Sequence, residues 1–187
     1  MTRCAAGDEA AFGVLYERHH RLVYNIAYRM LGNPTDAEDI LPDVFVKAWT
    51  KAGDFRGGSQ VSTWLYRIAA NMAMDRLRSG RHTKEVFWDD LPVRDQAMPD
   101  VGGESDNPER VAIRHDDERR LNKALGMLSK DERLLVTLYH LQGCSYTEVE
   151  EITGISTQNI KSRLFRARRR LKGFMEELEE GHAPGKL

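Results

Sequence analysis

Apolar residues recur at three- and four-residue intervals along most of the chain. Phe12, Leu15, Tyr16, Leu22, Val23, Ile26, Ala27, Met30 and Leu31 fall on one helical face and predict a long amphipathic helix over residues 5–31. Gly32-Asn33-Pro34 stops it. Thr35 with Glu38 reads as a capping box, hydroxyl and carboxylate each satisfying an orphan N–H of a second helix. That helix is expected through Ile40, Val44, Phe45, Ala48 and Trp49. Pro42 lies inside it without an N–H to donate, so a kink or a late start is expected. After a loop over residues 53–60, a third helix carries Trp64, Leu65, Ile68, Ala69, Met72 and Leu77 on its apolar face. Arg67, Asn71, Asp75, Arg76 and Arg78 occupy its other side. Three such helices can close a small bundle ending near Arg81.

From residue 84 to 107 the helical period disappears. Between Glu85 and Glu109 there are eight acids (Glu85, Asp89, Asp90, Asp95, Asp100, Glu104, Asp106, Glu109) against one base, Arg94. Such a segment is too polar to bury a core and reads as an acidic flexible linker, with Phe87, Trp88 and Leu91 as its apolar exception. Asn107-Pro108 then opens a helix with Val111, Ile113, Leu121, Ala124, Leu125 and Leu128, proline suiting the first helical position. Ser129 with Glu132 is a second capping box, opening a helix with Leu134, Leu135, Leu138 and Leu141 that Gly143 ends. Ser145 with Glu148 is a third.

The third box opens a short helix bearing Val149 and Ile152, a turn at Gly154, and a basic helix over residues 156–172 that Ser156 can cap. Ile160, Leu164, Ala167 and Leu171 form its apolar stripe. Lys161, Arg163, Arg166, Arg168, Arg169, Arg170 and Lys172 fill most other positions, with no carboxylate among them. Two helices, the second basic, are the pattern of a helix-turn-helix whose second helix enters the major groove of DNA. Glu150 falls where such pairs favour a small residue; its carboxylate would have to reach solvent or an arginine, and is expected to shift or loosen the crossing.

The 187 residues allow one medium or two small domains, and the net charge of −1 means that acid elsewhere offsets the basic end. Cys4 and Cys144 have no paired spacing, and the histidines add no metal-ligand cluster, so no metal, cofactor or small-molecule substrate is expected. No phosphate-binding loop or nucleophile–base pair suggests an enzyme. No membrane-length apolar run or signal-peptide core is seen, so no membrane insertion and a cytoplasmic location are expected.

Several strings narrow the reading. Gly7-Asp8-Glu9-Ala10-Ala11-Phe12, Asp36-Ala37-Glu38-Asp39-Ile40, Val44-Phe45-Val46-Lys47-Ala48-Trp49, Phe55-Arg56-Gly57 and Thr63-Trp64-Leu65-Tyr66-Arg67-Ile68-Ala69-Ala70-Asn71 resemble region 2 of an extracytoplasmic-function (group 4) sigma factor of the sigma-70 family. Asn107-Pro108-Glu109, Ser145-Tyr146 and Lys161-Ser162-Arg163-Leu164-Phe165-Arg166-Ala167-Arg168 resemble region 4. Order and spacing match from about residue 7 to 172. The resemblance implies an all-α chain of two small helical domains: a region 2 bundle over 1–82, an acidic linker over 83–107, and a region 4 helix-turn-helix domain over 108–187. It implies an alternative sigma factor, not an enzyme, that binds core RNA polymerase and directs initiation through −10 and −35 promoter elements. An anti-sigma factor is a further partner of this family.

Position by position, the resemblance carries over core-polymerase docking, on the clamp helices of the largest subunit, to Asp39, Pro42 and Asp43. The family usually has glutamine at Pro42. For the −10 element the matching residues are Phe55, the loop Arg56, Gly57 and Ser59, and Asn71 and Asp75. An unstacked base can stack on an aromatic ring, and asparagine can pair with adenine. Arg67 and Arg76, with Arg78, are candidates for phosphate contacts. For the −35 element they are Asn159, Lys161, Ser162, Phe165 and Arg166, with Arg163 and Arg168 as phosphate partners.

The residues alone also allow plainer roles. The acids of residues 36–43 complement a helix dipole, Phe55 can anchor its loop to the core, Arg168-Arg169-Arg170 can be a solvated end, and the linker can be a tether rather than a nucleic-acid mimic threaded into the polymerase. Trp49 and Trp64 are assigned to core. Two rival functions stay open at this point: a free-standing helix-turn-helix regulator, and an adaptor that docks on proteins and has lost DNA affinity.

Overall fold

The computed structural model describes residues 1–80 and 108–180, and of 108–115 only the backbone. The expected linker, with Phe87, Trp88 and Leu91, lies outside the described residues, as do the side chains of Val111 and Ile113 and the end of the chain after Glu180. Among the described residues all regular structure is helical: α1 (Thr2–Ala5), α2 (Glu9–Leu31), α3 (Pro34–Thr50), α4 (Val61–Ser79), α5 (Pro108–Met127), α6 (Lys130–Val136), α7 (Tyr146–Thr153) and α8 (Thr157–Glu180). A 3₁₀ turn at Ala52–Asp54 leads towards α4, and a wide π turn at Thr137–Leu141 prolongs α6.

The helix boundaries follow side-chain chemistry. Asp8 caps α2 by accepting from the Ala11 N–H at 2.9 Å, and Gly32 ends it with φ 73°, a conformation glycine adopts without strain. α3 begins earlier than the Thr35–Glu38 box suggested: the Asn33 side chain accepts from the Asp36 N–H at 3.1 Å and Pro34 takes the first turn. Pro34 supplies a preset φ where an N–H is dispensable, so this cap prevails over the threonine. α3 then runs on through Pro42, which is exposed, to Thr50. The boxes at Ser129–Glu132 and Ser145–Glu148 form as the sequence suggests. α8 continues beyond the expected end at Lys172, because half-buried Leu171, Phe174 and Leu178 extend its apolar stripe.

In the first half, α2, α3 and α4 enclose Val23, Ile26, Met30, Val44, Leu65 and Ala69, all with no exposed surface. Phe12 closes one end, its ring edge-on to Phe45 and to Trp49, at 6.3 and 4.9 Å between centroids. The second half packs Leu125, Leu135, Leu138, Val149, Ile160 and Leu164 between α5, α6, α7 and α8. Each buried aliphatic side chain contributes roughly 2 kcal/mol. Arg170 ties α8 to α6 by an ion pair with Glu132 at 2.9 Å, and Arg120 of α5 reaches Glu179 of α8 at 3.7 Å.

The two halves pack together, and their buried apolar residues form one contiguous cluster. One buried polar link is Arg133 of α6, 9% exposed. Its guanidinium donates to the Met30 carbonyl in α2 at 2.6 Å, and to the Leu125 and Gly126 carbonyls in α5 at 2.9 and 2.7 Å. Burial lowers its pKa, yet three carbonyls near two helix C-termini favour the cation, since the helix dipoles point their negative ends at it. Lys130 donates to the Leu77 carbonyl at 2.7 Å, Asn122 to the Tyr28 hydroxyl at 3.3 Å, and Arg29 to Asn122.

Replacing Arg133 leaves three carbonyls to find other partners. Arg133→Ala is expected to lower unfolding free energy by about 3 kcal/mol, the scale of losing charge-assisted hydrogen bonds in a buried site. Arg133→Lys should recover less than half, because one ammonium cannot span all three acceptors. Urea denaturation of the three proteins checks both statements.

Candidate nucleic-acid interface

At 100° per residue, the buried stripe of α8 (Ile160, Leu164, Ala167) fixes what faces outward. Ser162, Phe165, Arg166 and Arg169 lie opposite that stripe and are exposed. Lys161 and Arg168 flank them on one side, Asn159 and half-buried Arg163 on the other. Phe165 is 63% exposed, a large apolar cost for a free surface unless it is used. Seven sequence-singled residues thus come together on one helix. Arg170 does not join them, since it is engaged with Glu132. Lys161 is held with its ammonium 5.3 Å from the centre of the Tyr146 ring, which stacks on Tyr139 at 4.5 Å.

The turn before α8 is closed by Glu150. Its carboxylate accepts from the Thr157 N–H at 3.2 Å and from the Thr157 hydroxyl. The expected conflict at this position does not arise: the glutamate reaches neither an arginine nor an unpaired site, but caps the helix it was expected to disturb. A carboxylate at a helix N-terminus satisfies an orphan donor and complements the dipole.

The second group of candidates gathers around α4. Phe55 is half-buried, its ring edge-on to Trp64 at 5.5 Å, so it anchors its loop while keeping part of its surface accessible. Arg56 and Gly57 are exposed and Ser59 half-buried; Gly57 turns the loop with φ 73°. On α4 itself, Thr63, Arg67, Asn71 and Asp75 succeed one another along one stripe. Asn71 and Asp75 are exposed, but Thr63 is buried and Arg67 half-buried where α7 approaches. Thr63 donates to the Glu148 carboxylate at 3.0 Å, and Arg67 donates to the Glu151 carbonyl and lies 3.8 Å from the Glu151 carboxylate. The Ser145 N–H, together with the Ser145 and Thr63 hydroxyls, holds the Glu148 carboxyl below its usual pKa.

Arg76 does not share this stripe. It turns to α3 and pairs with buried Asp36 at 2.9 Å and with Asp39 at 3.0 Å; the Asp36 bond raises its pKa. Sequence periodicity grouped Arg76 with Arg67 because both are cationic, but they are half a turn apart in angle. On α3, Asp39, Pro42 and Asp43 are exposed on one face, as the spacing requires. Val46, 61% exposed, completes that face and was missed from sequence, where it reads as one more apolar residue. Its place seven residues after Asp39 was the signal.

Among the described residues no cluster of three metal-ligating side chains forms, and no helix is long and apolar enough to cross a membrane. Cys4 and Cys144 are buried, and burial pushes the Cys144 thiol up to about 11.

The family described as Sigma-70 region 2 matches residues 15–83, and Sigma-70, region 4 matches residues 118–171. The ECF RNA polymerase sigma factor SigM of Mycobacterium tuberculosis is 33% identical over 94% of this chain and 83% of its own length. The RNA polymerase sigma-H factor of Pseudomonas aeruginosa is 30% identical over 95% of this chain and 93% of its own. Among solved structures, CnrH in complex with the cytosolic domain of CnrY aligns with a TM-score of 0.66 at 26% identity, over 94% of both chains. The sigma factor RpoE in complex with the anti-sigma factor NepR, from Bartonella quintana, aligns with a TM-score of 0.64 at 28% identity, over 89% of this chain and 97% of that one.

The Glu150 cap makes a measurable claim. Glu150→Ala should destabilise the protein by about 1 kcal/mol, the usual loss of a cap. Combined with Thr157→Val, the loss should be less than the sum of the two, because both substitutions remove the same bonds. Thermal melts of the two single variants and the double variant provide the check.

Proposed function

Because the chain belongs to the sigma-70 family, as an extracytoplasmic-function sigma factor that directs promoter-specific transcription initiation with RNA polymerase, we propose how its parts divide that work. Residues 1–82 form the domain that docks on core polymerase and handles the −10 element, and 108–187 the domain for the −35 element, with 83–107 linking them. The outward face of α8 carries the −35 assignment: Ser162, Phe165 and Arg166 enter the major groove, with Phe165 suited to a thymine methyl and Arg166 to guanine. Asn159, near the helix N-terminus, is placed to reach bases; Lys161, Arg163 and Arg168 hold phosphates and set register.

The −10 strand is read by the loop Phe55, Arg56, Gly57 and Ser59 together with Asn71 and Asp75, while Arg67 supplies a phosphate contact. Arg76 acts one step back, bracing α4 on α3. The polymerase-docking face is Asp39, Pro42 and Asp43, to which we add Val46 as the apolar centre. Pro42 on that face removes one backbone donor and offers no side-chain hydrogen bond to the partner. Membership of the family supports a cytoplasmic location, where the protein would work with polymerase. CnrH is seen with CnrY, and RpoE with the anti-sigma factor NepR; the likeness supports an anti-sigma protein as a partner here as well.

The observation that carries this reading is the exposed row of Phe165, Arg166 and their cationic flanks on a helix whose opposite face is locked in the core. In holoenzyme binding to promoter duplex, Arg168→Ala should weaken binding to all sequences alike and flatten the slope of log affinity against log salt by about 1. Phe165→Ala should instead reduce sequence preference and leave the slope unchanged. Equal effects of the two on slope and preference would contradict the division of roles. Val46→Glu should reduce retention by core polymerase at least tenfold with no loss of helical signal.

A further inference from the structure

Arg76 stands between two carboxylates of α3 that differ in how firmly they hold it. One nitrogen of its guanidinium, Nη2, donates to Asp36 at 2.9 Å and to Asp39 at 3.0 Å. The Asp36 side chain is 2% exposed, that of Asp39 55%. The enclosed pair is the strong one, because a carboxylate out of water that lost its cation would carry an uncompensated charge. The outer pair is solvated, and solvated pairs contribute little. Asp39 can therefore leave Arg76 with little loss, while Asp36 keeps the guanidinium on α3.

Asp39 is also one of the acids of the docking face, beside exposed Asp43. Asp43 is in no ion pair among the described residues, whereas Asp39 already has a cation from its own chain. Carboxylates on a docking face suit a partner that presents lysines or arginines. A partner cation that takes Asp39 must displace the one it holds. We propose that Arg76 is an internal competitor for the polymerase-docking face: it occupies Asp39 in the free protein and lowers the affinity for core polymerase. This rests on the assignment of Asp39 to docking.

The size of the effect follows from the exposure of the outer pair. An ion pair this solvated changes an equilibrium by about threefold. Salt adds a second signature. Docking of the wild type exchanges one ion pair for another, so salt screens what is lost as well as what is formed. Without Arg76 the docking pair forms from an unpaired carboxylate, and screening falls on the new pair alone. The acid that meets polymerase and the brace of α4 thus share one guanidinium.

Equilibrium binding of the fluorescently labelled full chain to core polymerase tests the proposal. Arg76→Gln keeps an amide donor for Asp36 but no charge for Asp39, and should bind about threefold more tightly than the wild type at low salt. Its affinity should fall more steeply as salt rises. The gain should vanish when Asp39→Asn is added and persist with Asp43→Asn. Should Arg76→Gln unfold, Asp36→Asn combined with it removes the buried charge together with its partner and should show the same gain. Equal or weaker binding by a folded variant would overturn the proposal. So would a gain that survives Asp39→Asn, since it would report net charge alone. If Asp39→Asn by itself leaves binding unchanged, the docking assignment fails and the competitor falls with it. If Asp39→Asn weakens binding while Arg76→Gln changes nothing, docking stands and only the competitor fails.

Discussion

Burial of the apolar side of α4 against α2 and α3 determines which of its remaining residues can face anything else. Leu65 and Ala69 have no exposed surface, so the helix cannot rotate without emptying the bundle. With that face fixed, Thr63, Arg67, Asn71 and Asp75 must lie on one stripe and Arg76 on the other flank, where Asp36 and Asp39 receive it. The same constraint operates in α8, where Ile160, Leu164 and Ala167 are held in the core and Phe165 and Arg166 are left outside. In both helices the functional face is the residue of packing. Change the core register by one residue and the chemistry turns away from its target.

The two reading helices differ in what restrains them. α8 is rigidly seated by Arg170–Glu132 and by the cap from Glu150, and its outward row is free. α4 is equally well seated, but half its stripe is taken up by α7. One element therefore serves twice: α7 supports α8 as the first helix of the helix-turn-helix, and its acidic edge meets α4. Arg133 joins the same system from below, linking the ends of α2 and α5 through carbonyl oxygens rather than through a carboxylate.

Much of this was legible in the sequence. The helical periods gave every long helix, the three serine- and asparagine-led starts at residues 107, 129 and 145 marked their helices, and the basic helix disclosed its two faces. Where the reading failed, the missing information was spatial. Asn33 and Thr35 both precede a helical run, and only the Asp36 N–H geometry chooses between them. Glu150 looked like a charge in a helix crossing because its partner, Thr157, belongs to the next helix. Arg76 was grouped by charge when its angle separates it from Arg67. The closure of α7 on α4 could not have been foreseen: it joins residues more than eighty positions apart, and no local pattern records it.

The central claim, that α8 and the α4 stripe read two separate promoter elements, is tested most directly by mapping transcription starts. Run-off transcription by core polymerase on fragments of the host genome would compare the wild type with Arg166→Ala and Asn71→Ala. Wild-type starts should share two upstream sequence blocks, with Arg166→Ala relaxing the distal block alone and Asn71→Ala the proximal block alone. Relaxation of both blocks by either substitution, or starts that share a single block, would contradict it.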